Sequence, residues 1–411
     1  MALTRRQIYR RRRTAVFGGL FVVLASIAYL PLTLFAPVGE TAAALDVPSV
    51  EAPAAAETSL PSYGASAIAA VGYEGLLAQA GTTEPVPMAS IAKVVTAMTV
   101  LDAFPVTADD PGPSITMSAE DVRSYQHYIA RNGSVAPVRS GWTFTERELL
   151  EIMLIDSANN YAATITRWAF GSTEGYLAAA EVWLAKNGLD SITVVDSSGL
   201  DPRSSGAIHD IVRLGEIAIR HPVVAEIVGT ASIEIHDIGT VENTNALIGH
   251  DGIDGIKTGT LFSFGANLLF SSTIEVGGTP IQLVGAVLGG PDHPTINAAI
   301  ADLVTQARAG FREVSLVTEG TAFASYTTPW DAQAQAIAAE SASVVVWGDT
   351  PITVEASADP IRLGEAGETV GRAVFTAGEQ RFTIPLVLSD DIEDPGPWWR
   401  LGNPEIIFGM G

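Results

Sequence analysis

The sequence predicts a mixed helix-and-sheet domain followed by a small all-β domain, both outside a membrane that an N-terminal helix spans. Three observations predict this organisation. An uncharged run follows a cluster of six arginines at the N-terminus. Short apolar runs alternate with longer helical patterns over residues 64–312, which is typical of α/β and α+β domains. Short β-rich runs separated by Gly, Pro and Asp fill residues 313–411, which is typical of an all-β domain.

The N-terminal segment has the composition of a signal anchor. Residues 1–13 contain six arginines and no acidic residue, and residues 14–36 carry no charge. At ~1.5 Å per residue the uncharged run crosses a hydrocarbon core of ~30 Å as one helix, with the arginines on the cytoplasmic side. We therefore predict a cytoplasmic basic segment over 1–13 and a transmembrane anchor over 14–36. A cleaved secretory signal is the alternative, because Ala42-Ala43-Ala44 is a small-residue cleavage site, although the run exceeds the roughly 7–15 residues of a signal core.

Composition limits the partners of the exported part. Residues 37–63 are rich in Ala, Pro, Glu and Ser without an apolar period, which predicts a disordered linker. Without the six N-terminal arginines, 17 basic and 46 acidic residues remain, a formal charge of −29, so no nucleic-acid partner is expected. The chain has no cysteine and its six histidines lack metal-ligand spacing, so no disulfide, metal or cofactor is expected.

Lysine is the most informative residue type, because the chain has only three. One stands in the string Ser90-Ile91-Ala92-Lys93, which opens an apolar helical pattern. An amine can lose its proton and act as a base, whereas arginine stays charged. Serine and lysine at i and i+3 lie on one helix face, so a neutral Lys93 amine can accept the Ser90 proton. Taken alone, this string is also typical of a solvated helix face, but Val94 and Val95 favour burial, which lowers the pKa of a lysine.

Two further strings complete the pattern. The apolar run from Glu148 to Ile155 ends at Ser157-Ala158-Asn159, which by itself is compatible with ordinary turn chemistry. The string Lys257-Thr258-Gly259 precedes an apolar run, Ala266 to Phe270, that suits a central strand. A lysine beside small residues at a strand edge can hold a carboxylate by charge-assisted hydrogen bonds while a peptide backbone lies close.

In chain order, Ser90-x-x-Lys93, Ser157-x-Asn159 and Lys257-Thr258-Gly259 match the three motifs of penicillin-binding proteins and serine β-lactamases. Over residues 64–312 the sequence resembles the low-molecular-mass D-alanyl-D-alanine carboxypeptidases. The β-rich residues 313–411 are similar to the β-domain that often follows in this family. The resemblance implies an α+β, β-lactamase/transpeptidase-like catalytic domain, in which helices and a helical subdomain flank a central antiparallel sheet.

The resemblance also implies an activity and a site. It implies a bacterial membrane enzyme, with its catalytic part extracellular, that removes the terminal D-alanine from peptidoglycan stem peptides and is inhibited by β-lactams. The catalytic residues that it implies are the nucleophile Ser90, the base Lys93 and the proton relay Ser157. The backbone N–H groups of Ser90 and Thr260 would form the oxyanion hole. The substrate-binding residues that it implies are Asn159, Lys257, Thr258, Gly259 and Thr260.

Two alternative functions stay open at this point. A β-lactamase shares the three motifs, but no clear Glu-x-x-Leu-Asn string follows the second motif to activate a deacylating water. A non-catalytic protein of the same fold that only binds cell-wall peptide is the second alternative. The intact Ser90, Lys93 and Lys257 argue against it, because a protein without catalysis has no chemical need for two of its three lysines at these places.

Overall fold

A computed structural model describes residues 5–409 of the chain. By the contacts between residues, the chain forms two compact units. The larger unit comprises Pro53–Glu313 and Val345–Asp349, and the smaller unit comprises the remaining described residues. The predicted limits of the catalytic domain, 64–312, and of the β-rich domain, 313–411, remain predictions.

Helices and strands form both units. The α-helices α1 to α11 run, in order, over Arg5–Phe35, Ala92–Ala103, Ala119–Ile129, Glu146–Ile155, Asn159–Phe170, Thr173–Lys186, Ile208–Arg220, Pro222–Val228, His293–Gly310, Gly396–Gly402 and Pro404–Ile407. The strands β1 to β19 run, in order, over Ala44–Leu45, Ala65–Ala70, Ala78–Gly81, Val86–Pro87, Ser114–Thr116, Thr143–Thr145, Ser205–Gly206, Ser232–Ile235, Gly239–Glu242, Ile253–Leu261, Gly265–Val276, Thr279–Gly290, Phe311–Val317, Ala322–Thr327, Gln333–Ala338, Ala342–Trp347, Ile352–Ala358, Thr369–Ala377 and Gln380–Leu388.

A five-stranded antiparallel sheet organises the larger unit, with the strand order β10-β11-β12-β2-β3. Side chains of β11 alternate between two buried clusters, because successive residues of a strand face opposite sides of the sheet. Leu268 and Phe270 pack with Ile300 and Leu303 of α9, whereas Leu269 packs in the other cluster with Leu214 of α7. The apolar run predicted as a central strand is therefore buried on both faces, and the mixed architecture confirms the α+β prediction.

Helix α2 forms the centre of the helical part of the larger unit. Every residue from Ala92 to Leu101 is buried, so this helix has no solvated face. A helix that is apolar all round belongs in a core. It packs against α4, α5, α6 and α7. The 3-10 turn Ala89–Ile91 leads directly into its first turn, which fixes the position of Ser90.

The smaller unit contains a six-stranded antiparallel sheet in the order β1-β14-β15-β19-β18-β17. Its core includes Phe323 and Phe375, which are fully buried and meet edge to face. Strand β1 pairs Ala44 with Ser325 and Leu45 with Ala324. The structure therefore places a short strand within the segment predicted as a disordered linker, because the free edge of β14 offers backbone groups that a passing extended chain can pair with.

Helix α1 corresponds to the predicted anchor and its basic flank. Its 31 residues span about 46 Å, and its apolar part suits a membrane span by length and composition. The same features suit a signal sequence near an N-terminus. The helix is exposed along most of its length, and Thr33, in its last turn, is buried.

Candidate active site

Ser90 and Lys93 meet where the 3-10 turn becomes helix α2. The Nζ atom of Lys93 lies 2.9 Å from the Oγ atom of Ser90, as expected for residues one turn apart. Ser90 is half-buried, whereas Lys93 is completely buried. The preceding Ala89 has a φ of 52°, in the left-handed region that an alanine rarely adopts. The local backbone therefore holds the serine at the edge of the core with the lysine beneath it.

The hydrogen bonds of Lys93 hold its amine against Ser90. Its Nζ donates to Asn159 Oδ1 at 2.6 Å and to the carbonyl oxygen of Ser198 at 3.0 Å. It also donates to Ser90 Oγ at 2.9 Å. A protonated amine has three N–H donors for these three oxygens, whereas a neutral amine keeps two of them for Asn159 and Ser198 and turns its lone pair to the Ser90 hydroxyl. Burial holds the pKa of Lys93 well below its ordinary value of 10.5, and the nearby Lys257 lowers it further, against the opposing effect of Asp196 and Asp156.

Ser157 and Asn159 lie in the short junction between α4 and α5. Helix α4 ends at Ile155, and Ser157 has a φ of 62°, in the left-handed region, before α5 begins at Asn159. The backbone N–H of Asn159 donates to Ser134 O at 2.8 Å, so the junction is held from outside as well. Both side chains are buried. The structure joins Asn159 directly to Lys93, while Ser157 stands two residues before it in the same junction.

Lys257 and Thr258 lie on β10, which is the edge strand of the five-stranded sheet. The Oγ1 atoms of Thr258 and Thr244 are 2.6 Å apart, and Lys257 Nζ lies 3.5 Å from each of them. Lys257 is buried, and this burial lowers its pKa to about 7 against the opposing charge of Asp156. A partly protonated amine beside two hydroxyls is suited to bind an anionic group.

Gly259 brings β10 against the nucleophile. A Cβ atom built on Gly259 would lie 2.9 Å from Ala89 Cβ, 3.0 Å from Met88 O and 3.1 Å from Ser90 N. All three contacts are shorter than ordinary van der Waals distances, so a side chain here would push the strand away from the serine. Gly259 therefore allows β10 to lie close to Ser90. The sequence analysis gave a different reason for small residues here, namely the close approach of a substrate backbone.

Thr260, directly after the third motif, is exposed, and its side chain contacts a residue outside the motifs. Its Oγ1 lies 2.7 Å from Nε2 of His293, the first residue of α9. Burial first, and then the charge of Lys257, lower the pKa of His293. The sequence analysis gives His293 no role in the site, and its contact with Thr260 is an addition from the structure. No local signal links two residues 33 positions apart.

Two aspartates set the charge around the lysines, and sequence reasoning gave neither a role. Asp156 follows α4, and burial raises its pKa to about 6 although Lys257 and Lys93 oppose the shift. The carboxylate of Asp196 accepts hydrogen bonds from the N–H groups of Ser198, Gly199 and Asp201. It thereby fixes the loop whose Ser198 carbonyl binds Lys93. An Asp followed by Ser-Ser-Gly is a recognisable turn signal, although it does not reveal the partner.

The site therefore has two lysines of lowered pKa. Lys93 is hydrogen-bonded to Ser90, and Lys257 lies on the edge strand of the sheet. Known proteins have sequences and a fold similar to those of this chain. The family described as D-alanyl-D-alanine carboxypeptidase matches residues 58–291, which is more than half of the chain. Those residues include all three motifs.

Two curated relatives and a solved structure illustrate the similarity. The chain is 27% identical over 206 residues to a D-alanyl-D-alanine endopeptidase of Pseudomonas aeruginosa. This match covers 48% of this chain and 63% of the endopeptidase, which is less than two thirds of the relative's length. It is 25% identical to the D-alanyl-D-alanine carboxypeptidase DacC of Escherichia coli, over 79% of this chain and 83% of that one. A peptidoglycan synthesis regulatory factor (PBP3) from Streptococcus pneumoniae shares the fold, with a TM-score of 0.59, 20% identity and coverage of 84% and 100%. The chain belongs to the D-alanyl-D-alanine carboxypeptidase family.

Proposed function

We propose that this protein is a serine-type D-alanyl-D-alanine carboxypeptidase that removes the terminal D-alanine from peptidoglycan stem peptides. The observation that carries the proposal is the 2.9 Å hydrogen bond between Lys93 Nζ and Ser90 Oγ, with the amine held in place by Asn159 Oδ1 and the carbonyl oxygen of Ser198. A buried lysine of lowered pKa is a base that can activate a serine near neutral pH. Family membership supports the choice of substrate.

In the acylation step, Ser90 Oγ attacks the carbonyl carbon of the D-Ala-D-Ala bond while its proton passes to Lys93 Nζ. The developing oxyanion accepts hydrogen bonds from the backbone N–H groups of Ser90 and Thr260, each worth roughly a hundred- to thousandfold in rate. The C–N bond then breaks as the proton held by Lys93 passes through Ser157 to the leaving D-alanine nitrogen. Water attacks the resulting ester while Lys93 accepts its proton. The bond between the acyl carbon and Ser90 Oγ then breaks, Lys93 returns the proton to Oγ, and the shortened peptide leaves with a new carboxylate.

Substrate binding follows from the free edge of β10. An extended peptide that adds to a sheet edge exchanges backbone hydrogen bonds with it, and Gly259 keeps this edge beside the nucleophile. Asn159 binds the backbone of the stem peptide on the opposite side. Lys257 and Thr258 hold the terminal carboxylate, whose negative charge favours the protonated form of Lys257 and so offsets the effect of burial on its pKa.

The location that we propose is the outer face of a bacterial cell membrane. Residues 14–36 of α1 act as the anchor, residues 1–13 stay in the cytoplasm, and the domains at 64–312 and 313–411 lie outside. The apolar composition of α1 and the arginine cluster at its start support this orientation. The location also matches the substrate, because stem peptides are part of the wall outside that membrane.

Acylation by a β-lactam tests the proposed nucleophile. We would incubate the full chain in detergent with benzylpenicillin and measure its intact mass, beside Ser90→Ala and a matched Ser124→Ala variant from α3. We expect a slowly released adduct on the wild type and on Ser124→Ala, and none on Ser90→Ala. The same preparations should release D-alanine from a tripeptide that ends in D-Ala-D-Ala, except the Ser90→Ala variant.

The two alternatives give different results in this experiment. Rapid destruction of the drug without a lasting adduct would identify a β-lactamase. No adduct, unchanged drug and no released D-alanine would identify a non-catalytic protein that binds cell-wall peptide. An adduct that persists on Ser90→Ala would reject Ser90 as the nucleophile.

A further inference from the structure

We propose that Phe262 binds the third residue of the stem peptide, which directly precedes D-Ala-D-Ala, and selects a side chain whose methylene chain ends in an ammonium group. The inference rests on the proposed function and names the substrate side chain that the site prefers. Phe262 directly follows β10, the edge strand along which we place the substrate. It lies outside the three motifs, so the sequence analysis gives it no role.

The direction of the substrate along β10 follows from its two fixed points. Lys257 and Thr258 hold the terminal carboxylate, and the backbone N–H of Thr260 binds the oxygen of the scissile carbonyl. From its C-terminal end towards its N-terminal end, the peptide therefore passes β10 from residue 257 towards residue 261, antiparallel to the strand. At about 3.4 Å per residue, the third residue of the substrate lies beyond Thr260, where Phe262 begins the turn.

Phe262 is the most exposed large apolar side chain among the described residues, with a relative exposure of 110%. The preceding Leu261 is buried and pairs with Gly265 of β11. The backbone N–H of Phe264 donates to the carbonyl oxygen of Leu261 at 3.0 Å and closes the turn. A Cβ atom built on Gly289 would lie 3.0 Å from the ring of Phe264. Of the two phenylalanines in the turn, Phe264 therefore packs on the sheet, whereas Phe262 faces solvent.

The exposed ring fits a long side chain that carries a positive charge. A ring in water gains free energy when a ligand covers it, because apolar surface leaves the solvent. The methylene chain of a lysine-type residue can cover the ring while its ammonium group stays accessible to water. A cation within about 6 Å of the ring centroid is also attracted by the negative face of the ring. Because the turn is already closed, little backbone freedom is lost when the ring is covered.

The charges at this end of β10 favour a cation over an anion. Thr260 contacts His293, and the neighbouring Asp292 is exposed. Hydrogen bonds from Thr295 hold the pKa of Asp292 below its ordinary value of 3.8, so the carboxylate is charged at neutral pH. Burial and then the charge of Lys257 lower the pKa of His293 below 6.5, so its ring is largely neutral there. An ammonium group therefore enters a region of negative charge, which repels a carboxylate.

Hydrolysis of three peptides tests the inference. They are Nα-acetyl-L-Lys-D-Ala-D-Ala, its Nε-acetylated form and Nα-acetyl-L-Ala-D-Ala-D-Ala. The wild-type full chain in detergent should hydrolyse the lysine peptide with a kcat/KM roughly threefold to tenfold above that of the alanine peptide. The Nε-acetylated peptide should give an intermediate value, because it keeps the methylene chain and loses the charge. Equal values for the lysine peptide and its Nε-acetylated form would overturn the selection of an ammonium group.

Variants identify the residue that distinguishes the peptides. Phe262→Ala should lower kcat/KM for the lysine peptide to that of the alanine peptide and leave the alanine peptide unchanged. Phe262→Trp should keep the preference, because it keeps an aromatic face. The matched Val182→Ala, which shortens an exposed apolar side chain of α6, should behave like the wild type. An unchanged preference in Phe262→Ala, or an equal loss for both peptides, would overturn the inference.

Binding to an inactive variant separates recognition from catalysis. Ser90→Ala lacks the nucleophile, so it should bind the peptides without cleaving them. In ligand-observed NMR titrations, adding Phe262→Ala to this variant should raise Kd for the lysine peptide roughly threefold to tenfold and leave Kd for the alanine peptide unchanged. Equal Kd values with and without Phe262 would overturn this inference alone. A wild type that releases D-alanine from none of the peptides would overturn the proposed function and this inference with it.

Discussion

The buried carboxyl group of Glu146 should make this protein less stable at neutral pH than at mildly acidic pH. Glu146 begins α4 and is 1% exposed, and within the described chain its Oε1 atom has no hydrogen-bond partner. Burial, followed by the charge of Asp110, raises its pKa from 4.5 to about 7. The folded protein therefore holds a proton that the unfolded chain releases between these two pH values.

The sign and size of the effect follow from linkage. Because the folded state binds more protons than the unfolded state between pH 4.5 and 7, the free energy of unfolding falls as pH rises through that window. The rise in pKa from 4.5 to about 7 corresponds to at most about 3 kcal/mol of stability, which is lost as pH rises through 7. The variant Glu146→Gln mimics the neutral acid, so it should match the wild type at pH 4.5 and be more stable at pH 8.

Thermal unfolding in detergent checks this expectation. A difference of about 3 kcal/mol corresponds to roughly 6–12 °C in Tm for a unit of this size. We would record Tm from pH 4.5 to 8 for the wild type, for Glu146→Gln and for Glu181→Gln, an exposed glutamate of α6 as control. Parallel curves for the wild type and Glu146→Gln across this range would refute the reasoning.

Three further predictions concern the site. Gly259→Ala should slow acylation by benzylpenicillin roughly tenfold or more, because the new Cβ atom would lie 3.1 Å from Ser90 N. The control Gly39→Ala, which places its Cβ atom in open space, should leave the rate unchanged. Equal acylation rates for the two variants would contradict the prediction. His293→Ala should raise KM for a D-Ala-D-Ala peptide roughly threefold to tenfold, with a smaller change in kcat, since it removes one hydrogen bond to Thr260. The acylation rate should fall toward acid pH as Lys93 gains a proton and reach its plateau well below pH 10.5. A rate that is still rising at pH 10.5 would contradict the lowered pKa, and a rate that does not fall toward acid pH would exclude a neutral Lys93 as the base.

Sequence patterns predicted the parts of the molecule that depend on local order. The apolar run after Ser90 predicts a buried helix, and α2 is buried over Ala92 to Leu101. The run from Ala266 to Phe270 predicts a central strand, which is part of β11. The spacing of Ser90 and Lys93 predicts their contact, since helical geometry brings residues i and i+3 together whatever surrounds them.

These sequence patterns could not predict contacts between segments that are distant along the chain. The Ser198 carbonyl that binds Lys93 comes from 105 positions along the chain, and the backbone of Ser198 offers the same carbonyl as any other residue. The pairing of Ala44 and Leu45 with β14 is also a backbone contact between distant segments that no sequence pattern predicts. The neighbouring tryptophans 398 and 399 cannot be told apart by sequence pattern, yet Trp399 packs on Trp330 whereas Trp398 is 86% exposed. Sequence determines periodicity and residue chemistry, whereas tertiary packing alone decides which backbone groups and surfaces meet, because that choice depends on the global fold of the chain.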